Sequence, residues 1–331
     1  MGASTPQSRG NRNNRNNRTR QRFIVIGLAV FLLIDIGLVA FALTATQPPA
    51  SAGTVAAAPT SAPSSAEPVE AAPPVEVAPA EATATATVVP TRILAALDDS
   101  TAWRATTGGC PATSADPELT TDSGSTWEGF NASDETGASS ILAINVANAD
   151  TMSLVTLDDT DCAPQLVTTF VAGDAWKAYP DRVAAEWYIN PATPGTVHTP
   201  GGDVVAPCAA VSAIAATDNA AAAVLCLDAS VVTTLDSGAT WSEPAVVPGA
   251  AALAATTEGY AVAVANPAGC DGVSLVSVSQ EGTLVATAGT ACLPATVNPG
   301  ETAISVAADS TVWLWAGDAF ARSTDGGLSW V

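Results

Sequence analysis

The sequence predicts an all-β domain over residues 91–331, a β-propeller of about five four-stranded blades. Three observations support this prediction. From about Thr91 onward, short strand-like runs alternate with turn residues, and no long helical period occurs. One eight-residue pattern occurs three times, ending at Trp127, Trp241 and Trp330. Turns that enter a strand also recur at intervals of roughly 40–70 residues, which is close to the length of a propeller blade.

The recurring turns divide the domain into repeating units. They lie at Asp99, Asp150, Asp218, Glu258 and Asp309. The first and last units begin almost identically, as Asp99–Trp103 and Asp309–Trp313 differ at one of five positions. The longest interval follows the second turn, and we expect an insertion of roughly 20 residues there, near Arg182–Pro207.

The N-terminal part of the chain has a different composition. Residues 1–22 form a basic tail, with six of the chain's 11 Lys and Arg residues and no acid. Residues 23–43 are mostly apolar and, as a helix, are about 30 Å long, the thickness of a bilayer core. We predict a single transmembrane helix with the tail in the cytoplasm and the propeller outside, because basic flanks stay on the cytoplasmic side. A cleaved signal peptide, with a small-residue site at Ala40–Ala42, is the alternative.

Asp35 is the one charged residue within the predicted span. Acids inside membranes often contact a partner helix, and the alternative is a tolerated polar residue near the outer half. Residues 44–90 then form a linker that is rich in Pro, Ala and Thr and holds nine of the chain's 23 prolines. This composition cannot bury a core and favours an extended chain.

The eight-residue pattern, Ser/Thr-x-Asp-x-Gly-x-Ser/Thr-Trp, has a physical explanation. The Asp side chain accepts hydrogen bonds from the N–H groups of a tight turn, and the Gly adopts positive φ. The Trp returns to the sheet and buries a large apolar area. The residues in these roles are Asp122, Gly124, Trp127, Asp236, Gly238, Trp241, Asp325, Gly327 and Trp330. We therefore assign them a structural role. Degraded copies lie at 169–176, which lacks the Asp, and at 277–282, which lacks the Trp.

This pattern resembles the Asp-box, or bacterial neuraminidase repeat. The resemblance extends over residues 91–331 and implies a β-propeller outside the cytoplasm. It implies no particular activity.

The last blade raises a closure problem, because the sequence stops one residue after Trp330, before a fourth strand. An unpaired outer edge is a liability for a sheet protein. We predict that a stretch within Ala82–Leu97 supplies this strand, since Ala82–Val89 alternates Ala with Thr or Val.

All six cysteines lie in the predicted extracytoplasmic part, where an even number indicates disulfides. Six cysteines allow 15 connectivities. The repeat favours one of them, because Cys110 and Cys162 occupy similar loops of adjacent blades. Cys208 with Cys226 and Cys270 with Cys292 are then short-range pairs.

Charge and motifs exclude several classes of function. The formal net charge is −21, and the basic tail leaves the rest of the chain more acidic still, so we predict no nucleic-acid partner. No phosphate loop, nucleophile elbow or metal motif is present, and we predict no cofactor, no metal and no catalytic residue. For the acidic run Asp158–Asp161, a solvated loop is favoured over a calcium site.

The densest aromatic and charged stretch lies in or beside the insertion. Loops on a rigid propeller are where binding residues usually lie. The candidate binding residues are Trp176, Tyr179, Arg182, Glu186, Trp187, Tyr188 and His198. The alternative is that these aromatic residues fill the wedge between two blades.

The resemblance also raises the possibility of a sialidase-like glycoside hydrolase. Members of that family bind a substrate carboxylate with three arginines and use a Tyr nucleophile paired with Glu. The alternative therefore requires Arg104, Arg182, Tyr188 and Glu186 to meet in one pocket. The sequence favours instead a membrane-tethered binding module for a protein or a cell-envelope polymer.

Overall fold

A computed structural model of the chain describes residues 89–285 and 290–331. The predicted basic tail, the predicted membrane span with Asp35, and nearly all of the predicted linker lie outside the described residues. Across the two described ranges, no helix is both long enough and apolar enough to cross a membrane.

The described chain forms five antiparallel sheets in sequence order, the blades of a five-bladed propeller, and one separate hairpin. Blade 1 comprises β1 (Arg92–Ala96), β2 (Ala102–Thr106), β3 (Glu118–Thr120) and β4 (Glu128–Gly129). A short helix, α1 (Ser133–Thr136), leads to blade 2, which comprises β5 (Ala138–Val146), β6 (Met152–Asp158), β7 (Pro164–Thr169) and β8 (Lys177–Ala178). A 3-10 helix (Pro180–Ala185) and the hairpin of β9 (Thr196–Thr199) and β10 (Gly202–Val205) follow.

The C-terminal half holds three more blades. Blade 3 comprises β11 (Val211–Ala216), β12 (Ala222–Cys226), β13 (Ser230–Thr234) and β14 (Ala245–Val246). Blade 4 comprises β15 (Ala250–Thr256), β16 (Gly259–Ala265), β17 (Gly272–Ser279), β18 (Leu284–Val285) and β19 (Leu293–Pro294). Blade 5 comprises β20 (Thr302–Val306), β21 (Val312–Ala316) and β22 (Ala319–Ser323). The fold class predicted from the sequence is confirmed.

Central strands carry continuous apolar runs because both faces of a blade are covered. Every residue of β12 and of β13 is buried. A strand packed on both faces has no solvent side, so apolar residues need not alternate with polar ones. The core is accordingly divided into clusters between neighbouring blades. Trp103 with Trp176 fills the space between blades 1 and 2, and Leu275 with Leu314 fills the space between blades 4 and 5.

The three copies of the eight-residue pattern, hereafter the anchored bends (Thr120–Trp127, Thr234–Trp241 and Ser323–Trp330), share one hydrogen-bond arrangement. In the third, Asp325 Oδ1 accepts from Ser329 N–H at 2.9 Å, and Ser329 Oγ–H donates to Asp325 Oδ2 at 2.6 Å. Gly327 N–H donates to Ser323 Oγ at 2.7 Å. The same bonds occur at the other two bends, around Asp122 and Asp236.

Each bend also contacts the preceding structural element. A Cβ added at Gly124, whose φ is +84°, would lie 2.5 Å from Cε1 of Phe320 in blade 5. A Cβ at Gly238, whose φ is +80°, would lie 2.8 Å from Cγ2 of Val204. Glycine is therefore required both for its backbone conformation and for close approach. Trp127, Trp241 and Trp330 are half-buried at the edges of core clusters.

The bends make the fold sensitive to acid. Hydrogen bonds from Ser329 and Ser323 lower the pKa of Asp325 to about 2, below the value near 4 of an unfolded Asp. Since the folded-state pKa is the lower one, the stability from this carboxylate is present above the unfolded pKa and is lost as the pH falls towards 2. Between pH 4.5 and 2, the Tm of the wild type should fall more steeply than that of Asp325→Asn. Glu243→Gln, whose carboxylate hydrogen-bonds no described residue, is the control; equal slopes for all three proteins would contradict the prediction.

The ring closes by packing of β1 against β20. Thr91 N–H donates to Gly300 O at 2.8 Å, and Ala96 N–H donates to Ser305 Oγ at 2.9 Å. The guanidinium of Arg92 donates to the carbonyl oxygen of Glu301 at 2.9 Å.

The predicted source of the last strand is wrong where the structure tests it. Residues 92–96 form β1, which pairs with β2 inside blade 1. Residues 82–88 lie outside the described residues. Val331 instead pairs with Arg322 of β22, because the N–H and C=O groups of these two residues hydrogen-bond to each other at 2.9 Å.

Three disulfides connect the six cysteines in the connectivity that the repeat favours. Cys110–Cys162 joins the second-to-third-strand loops of blades 1 and 2. Cys208–Cys226 and Cys270–Cys292 close shorter segments, with separations of 18 and 22 residues.

Candidate functional site

The predicted insertion is present, and it lies as a wedge between blades 2 and 3. Trp187 packs with Val197 against blade 3, and its Nε1–H donates to Asp218 O at 3.0 Å. The next residue, Tyr188, packs against Val155 and Leu166 of blade 2. Successive residues of an extended chain point in opposite directions, so these two aromatic side chains contact opposite blades.

The hairpin β9–β10 takes the place that a preceding blade takes elsewhere in the ring. Its Val204 contacts the anchored bend of blade 3, as Phe320 contacts that of blade 1. The hairpin turns at Pro200–Gly201, where Gly201 N–H donates to Thr199 Oγ1 at 3.0 Å, and β10 begins at Gly202, whose φ is +111°. The insertion thus packs against blade 3 on one side and leaves an unfilled space on the side of blade 2.

That space is a cleft of about 480 Å³ between the start of β7 and the insertion. Its lining is Pro164, Tyr188, Asn190, Thr193, Thr196, His198, Gly202 and Asp203. Most of these side chains are neutral and polar. The hydroxyl groups of Tyr188, Thr193 and Thr196 make no hydrogen bond to any described residue, and these groups can therefore bind a ligand.

Tyr188, His198 and Asp203 form a rigid unit within the cleft. The rings of Tyr188 and His198 stack with centroids 4.4 Å apart, and the two backbones exchange N–H···O bonds. His198 Nδ1 lies 2.6 Å from Oδ1 of Asp203, whose side chain is 69% exposed. Burial raises the pKa of the Tyr188 phenol, and the nearby carboxylate of Asp203 raises it further. The phenol is therefore protonated at neutral pH and can donate a hydrogen bond.

The other predicted binding residues lie outside the lining of the cleft. Trp176 and Trp187 are buried in core clusters, which agrees with the alternative that aromatic residues of this stretch fill the space between blades. Glu186 Oε2 accepts a bond from Asn145 Nδ2 at 2.8 Å, and burial raises the pKa of Glu186. Tyr179 and Arg182 are outside the cleft lining, with the Arg182 Cζ atom 4.2 Å above the Tyr179 ring.

The four residues that the sialidase-like alternative requires do not meet in one pocket. Tyr188 is the one member of the four that lines the cleft. Arg104 is instead at the junction of blades 5 and 1, where its Nε–H donates to Glu118 Oε2 at 2.6 Å. Its Cζ atom lies 4.0 Å above the Trp127 ring.

The described residues include no group of three or more His, Cys, Asp or Glu arranged to hold a metal ion. In the acidic run, Asp158 Oδ1 accepts from Thr160 N–H, and Asp161 Oδ1 accepts from Ala163 N–H, both at 2.9 Å. These carboxylates stabilise the turn between β6 and β7.

Sequence reasoning missed Asn190, Thr193, Thr196 and Asp203. They are polar residues in a segment without the blade repeat, and their residue types do not distinguish them from other exposed polar residues. The dipeptide Pro200–Gly201 between two short strand-like runs is a turn pattern that would have indicated the hairpin of β9 and β10.

No known protein-family profile matches the chain, and no curated protein matches it. Solved structures do match. YCF48 bound to a D1 peptide is 17% identical, with 74% of this chain and 67% of that chain covered and a TM-score of 0.28. The GH74 enzyme of Niastella koreensis is 13% identical over 72% of this chain and 45% of that one, with a TM-score of 0.38.

A third match is the SapL1 lectin in complex with alpha methyl fucoside. It is 10% identical, with 74% of this chain and 95% of that chain covered and a TM-score of 0.43. Of the three proteins, the GH74 enzyme is the longest relative to the match, and the chain spans less than half of its length. These similarities concern the fold alone.

Proposed function

We propose that this protein is a membrane-tethered, extracytoplasmic binding module for a protein or a cell-envelope polymer, with the cleft beside Tyr188 as its ligand site. One observation carries the proposal. Hydroxyl groups of Tyr188, Thr193 and Thr196, none of them bonded to a described residue, line one cleft in the part of the chain that departs from the blade repeat. Concave sites with a few convergent polar groups are typical of ligand binding.

The chemistry of the lining favours a ligand with many hydroxyl groups. Hydroxyl and amide side chains both donate and accept hydrogen bonds, as sugar hydroxyls do. The stacking of Tyr188 on His198 fixes the position of the Tyr188 hydroxyl in the cleft. Of the two kinds of ligand, these features support a cell-envelope polysaccharide.

The tether and the location rest on the sequence. The apolar run 23–43, with its basic flank, is long enough to span a bilayer. The three disulfides of the propeller fit an oxidising environment outside the cytoplasm. The Pro-rich residues 44–90 would hold the propeller away from the membrane surface.

Isosteric loss of cleft hydroxyls tests the proposal. The double variant Tyr188→Phe/Thr196→Val keeps the ring stack and the β-branched strand residue but removes two hydrogen-bonding groups. Each neutral hydrogen bond contributes about 0.5–1.5 kcal/mol, so binding to an array of neutral polysaccharides should weaken by about tenfold. Tyr260→Phe makes the same chemical change in the buried core of blade 4 and should bind like the wild type. Wild-type binding by the double variant would refute the proposed site.

A further inference from the structure

A cluster of cationic and aromatic side chains lies on blade 2 near the cleft. We call Phe170, Lys177, Tyr179 and Arg182 the Tyr179 cluster. The Lys177 Nζ and Arg182 Cζ atoms lie 5.3 and 4.2 Å from the Tyr179 ring centroid. Phe170 meets Tyr179 edge-on at 6.5 Å, and 53% of its surface is exposed. Lys177 and Arg182 are also exposed.

These two cations differ from the other basic residues of the described chain. Arg92 and Arg104 are paired with Glu301 and Glu118. Arg322 donates to the carbonyl oxygen of Asp99 and lies over Trp313. By contrast, neither Lys177 nor Arg182 has a carboxylate of the described residues within ion-pair distance. In a protein of net charge −21, Lys177 and Arg182 are thus two exposed cations beside one ring without an ion pair to a described residue.

The Tyr179 cluster and the cleft are contiguous. Tyr179 N–H donates to Leu166 O at 2.7 Å, while the Leu166 side chain packs with Tyr188, which lines the cleft. The chain between Tyr179 and Tyr188 is the 3-10 helix and the two residues that follow it. That 3-10 helix is exposed at Pro180, Asp181, Arg182, Ala184 and Ala185, and its six residues extend about 12 Å, so exposed chain connects the two regions. A polymer in an extended conformation can occupy both regions.

We propose that the Tyr179 cluster binds the acidic groups of an anionic polysaccharide or polyol-phosphate polymer whose neutral units occupy the cleft. This inference rests on the proposed function for the cleft and adds the chemical class of the ligand. Arg182 and Lys177 bind a carboxylate or a phosphodiester, because guanidinium and ammonium groups are the usual partners of both. The exposed ring of Phe170, beside the half-buried Tyr179, provides an apolar surface for the adjacent sugar or polyol unit.

Two features favour such a polymer over an acidic polypeptide. The cleft offers hydroxyl groups and no deep apolar pocket, so it fits hydroxylated units better than apolar side chains. The surrounding surface is strongly acidic and therefore repels a polymer with closely spaced negative charges. A polymer with widely spaced acidic groups is repelled less, because one acidic group at a time can contact the Tyr179 cluster.

The test is binding of the full-length chain, immobilised through its N-terminus, to four probes in low salt. The probes are hyaluronate, in which uronate units alternate with neutral sugars, poly(glycerol phosphate), neutral dextran and poly-L-glutamate. The wild type should bind at least one of the first two more tightly than dextran, and the one it prefers identifies the acidic group. Lys177→Ala/Arg182→Ala should weaken that binding by about tenfold and leave dextran binding unchanged, and added salt should no longer weaken the binding that remains. Asp181→Asn, which removes a negative charge on the same 3-10 helix, should bind as tightly as the wild type or more tightly.

The outcomes separate the two proposals. Unchanged binding of the anionic polymers by the double cation variant overturns the inference and leaves the cleft proposal standing. Loss of binding in that variant, together with wild-type binding by Tyr188→Phe/Thr196→Val, supports the cationic site and overturns the cleft proposal. Equal or tighter binding of poly-L-glutamate overturns the polymer class and indicates an acidic polypeptide.

Discussion

Trp313→Ala should cause the largest loss of stability among single substitutions in this propeller, about 3–5 kcal/mol in the free energy of unfolding. Trp313 is fully buried between blades 5 and 1 and meets Phe320 at 5.7 Å. Its Nε1–H donates to Asp98 O at 2.9 Å, a bond between residues 215 positions apart. The substitution leaves a cavity and an unbonded carbonyl at the junction that closes the ring. Urea unfolding of wild type and variant measures the loss.

The matched residue Trp103 makes this prediction more specific. It occupies the same position on the second strand of blade 1 and is also fully buried, but its Nε1–H has no partner among the described residues. Trp313→Phe removes volume and a hydrogen bond, whereas Trp103→Phe removes volume and an unsatisfied donor. We expect Trp313→Phe to be more destabilising by about 1 kcal/mol. Equal losses for the two variants would show that volume alone decides the effect, and a larger loss for Trp103→Phe would contradict the prediction.

The anchored bends were predictable because their interactions are local. Asp122 bonds Thr120 and Thr126, and every such partner lies within four positions in the sequence. An eight-residue pattern therefore contains nearly all the information needed to specify the turn. The recurrence of strand-entering turns at blade-length intervals then predicted the number of blades, since each unit needs a neighbour to cover its apolar face.

The closure of the ring was not predictable in the same way. Residues 92–96 could have been an outer strand of blade 5 or the inner strand of blade 1, because both are short apolar strands. What decides between them is pairing with β2 and side-by-side packing on β20, a contact between positions about 200 residues apart. Local alternation carries no information about that partner.

For the candidate site, too, the sequence predicted the local feature but not the feature that depends on the assembled ring. Aromatic density correctly drew attention to the insertion, but it could not distinguish Trp187 from Tyr188. The two are adjacent, yet Trp187 belongs to the core of blade 3 and Tyr188 lines the cleft on the side of blade 2. The distinction follows from the position of the wedge between two blades, which only the assembled ring defines.

The disulfide between blades 1 and 2 should contribute more stability than the other bonds. Cys110 and Cys162 are 52 residues apart, whereas Cys270 and Cys292 are 22 apart. A crosslink restricts the unfolded chain more when the loop it closes is longer, which gives about 4 kcal/mol for the first bond and about 3.4 kcal/mol for the second. All four cysteines are half-buried, so paired alanine substitutions leave comparable packing defects.

Urea unfolding of Cys110→Ala/Cys162→Ala and of Cys270→Ala/Cys292→Ala, both under oxidising conditions, provides the comparison. The first pair should lower the free energy of unfolding more and should also raise the dependence on urea more, because a chain released from a longer loop exposes more surface when it unfolds. A larger loss for the second pair would mean that local contacts, and not restriction of the unfolded chain, determine what these bonds contribute. The entropic account further requires that the effect of the first pair persist in the Trp313→Ala background, because that substitution acts on the folded ring at a different junction.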